Sequence, residues 1–181
     1  MTKQEAMFRL ALMEEGFPPD GIRIDHVAGK CYQGDREYSV IFPQSWVDRM
    51  RPIRPFTYDV VFRGLRTPKR GWVENHKASP QNDIAFTELG RTLPKTAFDF
   101  YYYRMMCGAK FALCPDGDVP WTYRFFEACL CHAIPVTENG QAPEGYVAVK
   151  NFVDMPEYSV IDAENNYRIA VTQHTIKGGL R

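Results

Sequence analysis

Hydrophobic and polar positions change period near residue 56 of this 181-residue chain. The opening stretch, "MTKQEAMFRLALMEEGFPPDG", spaces its apolar residues for an amphipathic helix of about three turns that stops near Gly16. "GIRIDHVAG" and "EYSVIFP" read as an antiparallel strand pair, joined through "KCYQGDR" with its Gly turn. Ser45 is placed to cap a short helix, "WVDRM", that Pro52 stops. From "TYDVVFRG" onward, β-branched and aromatic runs alternate with helical ones. The basic, turn-rich "LRTPKRGWVENHKASPQND" has room for one short helix. "KTAFDFYYYRMMCGA" reads as a long helix, with Ala97, Phe100, Tyr101, Arg104 and Met105 near one face and Gly108 as its C-cap. Next come a strand "KFALCP", a helix "WTYRFFEACLCHA", a strand "IPVT" and a strand or loop run "YVAVKNF". A final helix covers "DAENNYRIAVTQHTIKGG", with Asp162 near its start and Gly178-Gly179 past its end. Strands alternating with helices predict an α/β domain on a mainly parallel sheet.

Composition narrows the function classes. Hydrophobic residues make up 45% and aromatics 14%, as in a folded globular chain and unlike a disordered one. The formal net charge is zero, so no global field draws the chain to nucleic acid or to an anionic membrane. No run of RNA-recognition type appears either. No apolar run approaches the about 20 residues that cross a bilayer, and the first helix lacks the uninterrupted apolar centre of a signal peptide. Five cysteines, an odd number in no framework spacing, predict reduced thiols and a cytoplasmic protein. Cys129, Cys131 and His132 do not make a metal site: residues two apart on a helix point to different faces, and no second ligand pair stands at zinc-finger spacing.

Chemistry concentrates in 109–137, "AKFALCPDGDVPWTYRFFEACLCHAIPVT". On a helical period Phe125, Ala128, Cys129 and Ala133 form a broad apolar side, while Arg124 and Glu127 share the other side near the N-terminus. A Gly-containing turn between a parallel strand and a helix lies at the carboxyl edge of the sheet, where ligands bind. A helix N-terminus there offers free N–H groups, and Arg124 adds a planar fork matched to phosphate oxygens. Glu127 is suited to accept from two vicinal ribose hydroxyls. Arg-x-x-Glu describes an exposed ion pair of a few tenths of a kcal/mol equally well, and spacing leaves both readings open.

The same stretch resembles the donor-binding core of exostosin-like glycosyltransferases. Lys110, Phe111, Leu113, Pro115 and Gly117 match a Lys-Phe-x-Leu-x-Pro-x-Gly run; Thr122, Arg124, Glu127 and Ala128 match Ser-x-Arg-x-x-Glu-Ala; Ile134, Pro135 and Val136 close the pattern. Thr122 keeps the hydroxyl of the family Ser, and His132-Ala133 stand where the family has Gly-Cys. "FRGLRT" at 62–67 is similar to a run in the protein O-glucosyltransferases. The two matches together span roughly 57–137. They imply a Rossmann-like fold corresponding to the nucleotide-sugar-binding half of a GT-B enzyme. Residues 57–181 are then the donor domain and 1–56 a small N-terminal cap.

The implied activity is glycosyl transfer from a nucleotide-activated donor, expected to be a UDP-sugar, to a glycan or other hydroxyl acceptor. Neither a cofactor nor a bound metal is implied, because side chains and helix dipoles stabilise the departing diphosphate in this class. The implied nucleotide-sugar-binding residues are Gly64, Arg66, Lys110, Gly117, Thr122, Arg124 and Glu127. Gly64 lets backbone approach a ligand closely, and Arg66 follows it toward the diphosphate. Lys69 and Arg70 read as solvated loop charges. His26, His76 and His174 are isolated; His76 and Asp83 follow the basic turn toward the sugar, and spacing names no general base. Fifty-six residues ahead of the donor motifs are too few for a second Rossmann domain. The acceptor surface is therefore expected from the cap, a second copy or another polypeptide. The alternatives are a non-catalytic nucleotide-sugar-binding or regulatory subunit of a glycan-synthesis complex, and an unrelated doubly wound domain.

Overall fold

The computed structural model describes residues 1–25, 28, 30–87, 97–117 and 123–179. The elements in chain order are α1 (Lys3–Glu14), β1 (Ile22–Asp25), β2 (Lys30–Gln33), β3 (Arg36–Tyr38), α2 (Gln44–Val47), β4 (Tyr58–Leu65), a 3₁₀ helix (Pro68–His76) and β5 (Asp83–Thr87). They continue with α3 (Phe100–Cys107), β6 (Ala109–Leu113), α4 (Tyr123–Leu130), β7 (Ile134–Thr137), β8 (Val149–Lys150), α5 (Val160–Gln173) and α6 (Ile176–Gly179). Two compact units result. One joins Met1–Arg49, Leu93–Phe98 and Arg168–Arg181; the other joins Met50–Thr92 and Asp99–Tyr167. Among the described residues no helix is long and apolar enough to cross a membrane.

The first unit is built on an antiparallel meander, β1-β2-β3. Here "KCYQ" is a strand and not the connector its composition suggested. A turn at Gly34, which takes a φ of +57°, reverses the chain after it. Strand structure ends at Tyr38, so most of "EYSVIFP" lies beyond it. α1 is capped by Thr2, whose Oγ1 accepts from the Glu5 N–H at 3.1 Å. Phe8, Ala11 and Leu12 of α1 pack with Cys31, Tyr38, Ile41 and Ile176. α2 begins at Gln44, with Pro43 at its N-cap and no side-chain cap bond. Ser45 is not the cap: the Glu14 carboxylate takes its N–H at 3.1 Å and its hydroxyl. An α1 acid thus satisfies donors that the α2 terminus leaves open.

The second unit is a five-stranded, wholly parallel sheet in the order β5-β4-β6-β7-β8. Numbered within the unit, that order is 2-1-3-4-5, a Rossmann-like doubly wound arrangement. Val60 and Phe62 of β4 share one face with Phe111 and Leu113 of β6 and Ile134 and Val136 of β7. Val73 of the 3₁₀ helix and Ala163 of α5 complete this core. α3 and α4 pack against β4, β6 and β7. Covering on both faces makes Val60, Val61 and Phe62 consecutively buried, the unbroken apolar run of a central parallel strand. β5, "DIAFT", joins this sheet as its edge strand, although a turn-rich flank hides it in the sequence. α3 is shorter than the long helix expected: Asp99 caps it by accepting from the Tyr102 N–H at 3.1 Å, and Gly108 ends it. The C-terminal helix is interrupted, so α5 and α6 replace one continuous segment.

His132 ends α4 in the left-handed region, with a φ of +59°. The Ala133 N–H reaches Ala128 O at 3.0 Å and the His132 N–H reaches Cys129 O at 3.1 Å, the paired bonds of a Schellman terminus. Glycine is the residue this conformation favours, and the family pattern has Gly here. The imidazole packs tightly all the same: it stacks on Tyr167 at 4.1 Å, and its Nδ1 lies 3.2 Å from Glu164 Oε1. Burial pushes its pKa down; Glu164 opposes this, and Arg54 and Arg51 add to it.

Candidate active site at the carboxyl edge of the sheet

In this strand order the connection reverses direction between β4 and β6, and the crevice for a ligand lies beyond their carboxyl ends. β4 ends at Gly64-Leu65 and β6 at Leu113, so Arg66 and the segment 114–117 stand at that edge. α4 begins close by at Tyr123 and sends Arg124 back over the sheet end. Its Nη2 donates to Arg63 O at 2.7 Å, and its guanidinium carbon sits 4.5 Å from the centre of the Phe62 ring. The Arg124 Nε–H has no hydrogen-bond partner among the described residues. A buried or half-buried N–H without an acceptor is a standing demand for one.

Gly64 makes this approach feasible. A Cβ there would lie 2.6 Å from Arg124 Nη2 and 3.4 Å from Arg70 Nη1. Any side chain would occupy the space the guanidinium uses. Across the reversal, Lys69 Nζ donates to Gly117 O at 3.0 Å and ties the loop after β4 to the loop after β6. Arg70 Nη1 donates to Leu65 O at 2.8 Å. Lys69 and Arg70 are thus engaged in shaping the edge, beyond the solvated role their composition suggested.

Arg66 is two-thirds exposed, ion-paired with Glu74, and lies with its guanidinium carbon 4.6 Å from the Phe86 ring centre. Lys77 shares Glu74 at 2.8 Å, and its hydrogen bond is the main reason the Glu74 carboxyl lies below its ordinary pKa, Arg66 adding to it. Glu127 is buried, at 1% exposure. Its two carboxylate oxygens accept from the hydroxyls of Tyr102 at 3.0 Å and Tyr103 at 2.9 Å. The side that Arg124 and Glu127 were expected to share near the N-terminus is therefore divided: Arg124 turns to the sheet end, and Glu127 turns inward to α3. Tyr102 and Tyr103 are partners of Glu127 that spacing did not reveal. The Tyr run itself was their signal, since a buried acid needs hydroxyl or cationic donors.

Lys110 is placed apart. It stands at the start of β6, where β4 and β6 pair through Tyr58 and Ala109, and its Nζ contacts Asp59 Oδ1 at 2.7 Å. That is the amino edge of the sheet, about 10 Å along the strand from Leu113 at ~3.3 Å per residue. Thr122 lies outside the described residues. His76 is buried, bonded to Asn151 Oδ1 at 2.8 Å and packed between Trp72 and Phe152, a fixed part of the interior. Asp83 pairs with Arg63 at 2.9 Å. Cys114 ends up fully enclosed at the edge; burial pushes its thiol up to about 12, against the pull of Arg124, so it stays protonated and is no nucleophile.

Comparison with curated proteins gives no significant match. A family model, described as the Exostosin GT47 domain, matches residues 20–174. The exostosin resemblance is thereby extended over most of the chain, whereas the likeness to the protein O-glucosyltransferases rests on 62–67 alone. A parallel Rossmann-like sheet, a basic site at its reversal point and this match lead to one assignment: the chain belongs to the exostosin GT47 domain family of glycosyltransferases.

Proposed function

We propose that this protein transfers a sugar from a UDP-sugar to a hydroxyl of a glycan acceptor without a metal ion. The observation that carries the reading is Arg124, drawn over Gly64 at the reversal point with its Nε–H unpartnered among the described residues. In the reaction the bond from the anomeric carbon to the diphosphate oxygen breaks and the electron pair leaves with the diphosphate. A new bond forms to the acceptor oxygen, whose proton passes to the released diphosphate or to water. The departing group gains negative charge, and fixed cationic donors favour that change more than they favour the bound substrate.

Arg124 and Arg66 are the donors in this reading, Arg66 exchanging Glu74 for phosphate oxygens. Gly64 and Gly117 keep the two edge loops close to the ligand, with Thr122 adding a hydroxyl. Glu127 is the residue assigned to the ribose in this reading, held in place by Tyr102 and Tyr103. Lys110 has no part in it, since its charge is held at the opposite edge.

Thermal unfolding in the presence of nucleotides tests the proposal. UDP at about 100 times its dissociation constant adds about 2.7 kcal/mol, a rise of several degrees for a domain of this size. The rise is expected to persist in EDTA and to vanish in Arg124→Ala. A protein indifferent to every nucleoside diphosphate would overturn the donor site. Binding without turnover of any UDP-sugar would reduce the protein to a nucleotide-sugar-binding subunit.

A further inference from the structure

The loop after β4 and the 3₁₀ helix that follows it close on each other through one acid. Glu74 comes from that helix, and its carboxylate takes Arg66 on Oε1 and Lys77 on Oε2, the latter at 2.8 Å. Both cations lie against the same ring: the Arg66 guanidinium carbon is 4.6 Å and Lys77 Nζ 4.9 Å from the centre of Phe86. Leu65 and Thr87 are paired at the ends of β4 and β5, so Arg66 and Phe86 stand at the carboxyl edge, on the same side of the sheet as Gly64 and the Arg124 guanidinium. Arg66, Thr67, Arg70, Gly71, Glu74 and Phe86 line a hollow there of about 360 Å³.

Two cations share this one acid, and they are held unequally. The Arg66 side chain is 66% exposed, so its guanidinium can turn outward without opening the interior. Glu74 does not become a bare charge when it does, because Lys77, in the next turn of the same chain segment, keeps the second oxygen. The Lys77 hydrogen bond, and after it the charge of Arg66, hold the Glu74 carboxyl below its ordinary pKa, so it is an anion at neutral pH. A guanidinium makes the same two-pronged contact with a carboxylate as with phosphate oxygens, and a diphosphate brings more charge to it.

We propose that Glu74 is an intramolecular stand-in for the diphosphate: it occupies Arg66 in the empty protein, a nucleoside diphosphate displaces it, and Lys77 retains it once displaced. This rests on the reading of Arg66 as a diphosphate-binding residue. Glu74 is then a positioning residue that sets affinity for donor and for diphosphate product without touching either. Product release becomes an exchange of partners, with Glu74 taking Arg66 back as the diphosphate leaves. The apparent affinity is reduced by the fraction of protein in which Arg66 is free of Glu74, a factor of about two to five for a half-exposed ion pair.

Calorimetric titration of the full chain with UDP, inorganic pyrophosphate and uridine tests the exchange. Glu74→Gln keeps the shape of the side chain and removes its charge. It is expected to tighten UDP and pyrophosphate by about two- to fivefold and to leave uridine unaltered. Lys77→Gln leaves Glu74 to Arg66 and is expected to weaken both ligands by a similar factor, and only while Glu74 is present. In an Arg66→Ala background, Glu74→Gln is expected to leave every affinity where it was. A Glu74 that merely braces the helix would shift the melting temperature without this pattern of opposite signs. Weaker or unchanged pyrophosphate and UDP binding in Glu74→Gln, or the same gain with Arg66 removed, would overturn the exchange and leave the donor site standing. Pyrophosphate binding tightened by Glu74→Gln in a protein that ignores UDP would strike the nucleotide-sugar reading and leave the exchange. A parent and a Glu74→Gln variant that both ignore pyrophosphate and UDP would overturn the two together.

Discussion

Gly64 and Arg124 share one volume at the end of β4: a Cβ on the glycine would come within 2.6 Å of the Arg124 Nη2. The nearest obstructed atom is the tip of a flexible side chain, with the Phe62 ring next at 3.1 Å, so Gly64→Ala displaces the guanidinium first and asks the ring for only a few tenths of an ångström. The expected outcome is nucleoside-diphosphate binding weakened by one charge-assisted contact, about 1.5–3 kcal/mol, with a melting temperature close to that of the parent. Calorimetric titration beside a thermal scan measures both. A large fall in melting temperature with unaltered affinity would mean that the glycine serves the strand and not the arginine.

Tyr102 and Tyr103 together hold the buried carboxylate of Glu127. Tyr103→Phe deletes one donor and leaves the acid enclosed, which is expected to cost about 1–3 kcal/mol of stability. The double Phe variant should cost more than the sum, because the carboxylate then has neither hydroxyl. Urea unfolding of the single and double variants gives the coupling. If Glu127 also receives the ribose, the same variants lose discrimination between UDP and its 2′-deoxy analogue, a readout that packing alone does not move.

The left-handed turn at His132 separates two effects. His132→Ala retains the strained conformation and loses the Tyr167 stack; His132→Gly loses the stack and relieves the strain. The alanine variant is expected to be less stable than the glycine variant by about 1–2 kcal/mol, measured by denaturant unfolding. Equal stabilities would show that the backbone at this terminus relaxes away from the left-handed form.

His174 is buried with its Nδ1–H donated to Val40 O at 2.7 Å, and burial pushes its pKa down to about 4, with Lys30 a further lowering influence. The folded state thus resists a proton that the unfolded chain accepts near pH 6.5. Stability from this group is complete above pH 6.5 and is lost as the pH falls toward 4, by about 3 kcal/mol over the window. Unfolding free energies at a series of pH values should show that loss, and His174→Gln should flatten the curve while lowering its value at neutral pH.

How much of this was readable in the residues depends on how far each feature is local. "TYDVVFRG", "KFALCP" and "IPVT" stand out because strands covered on both faces are apolar throughout. "KCYQ" carries one buried side chain, Cys31, and becomes a strand by pairing with two neighbours. "DIAFT" is half-buried along its whole length as an edge strand, so no clear alternation marks it. The position of Lys110 follows from which end of β6 enters the sheet, and that is a matter of strand register. The inward turn of Glu127 was hidden for a similar reason: its partners lie 24 and 25 residues earlier, on another helix. The requirement for glycine-like backbone at 132 was visible through the family pattern, whereas the rings that let histidine stand there were not.

Ile176 shares a core with Phe8 and Tyr38. The core of the N-terminal meander is therefore incomplete until residue 176 has been made, whereas the residues of the sheet unit, 50–92 and 99–167, all precede it. Synthesis order and assembly order differ: residues 8 and 38 wait for Ile176, made after the whole of the sheet unit. A nascent chain halted before residue 168 is expected to present the apolar side of α1 to chaperones, although the sheet unit behind it is already fully translated.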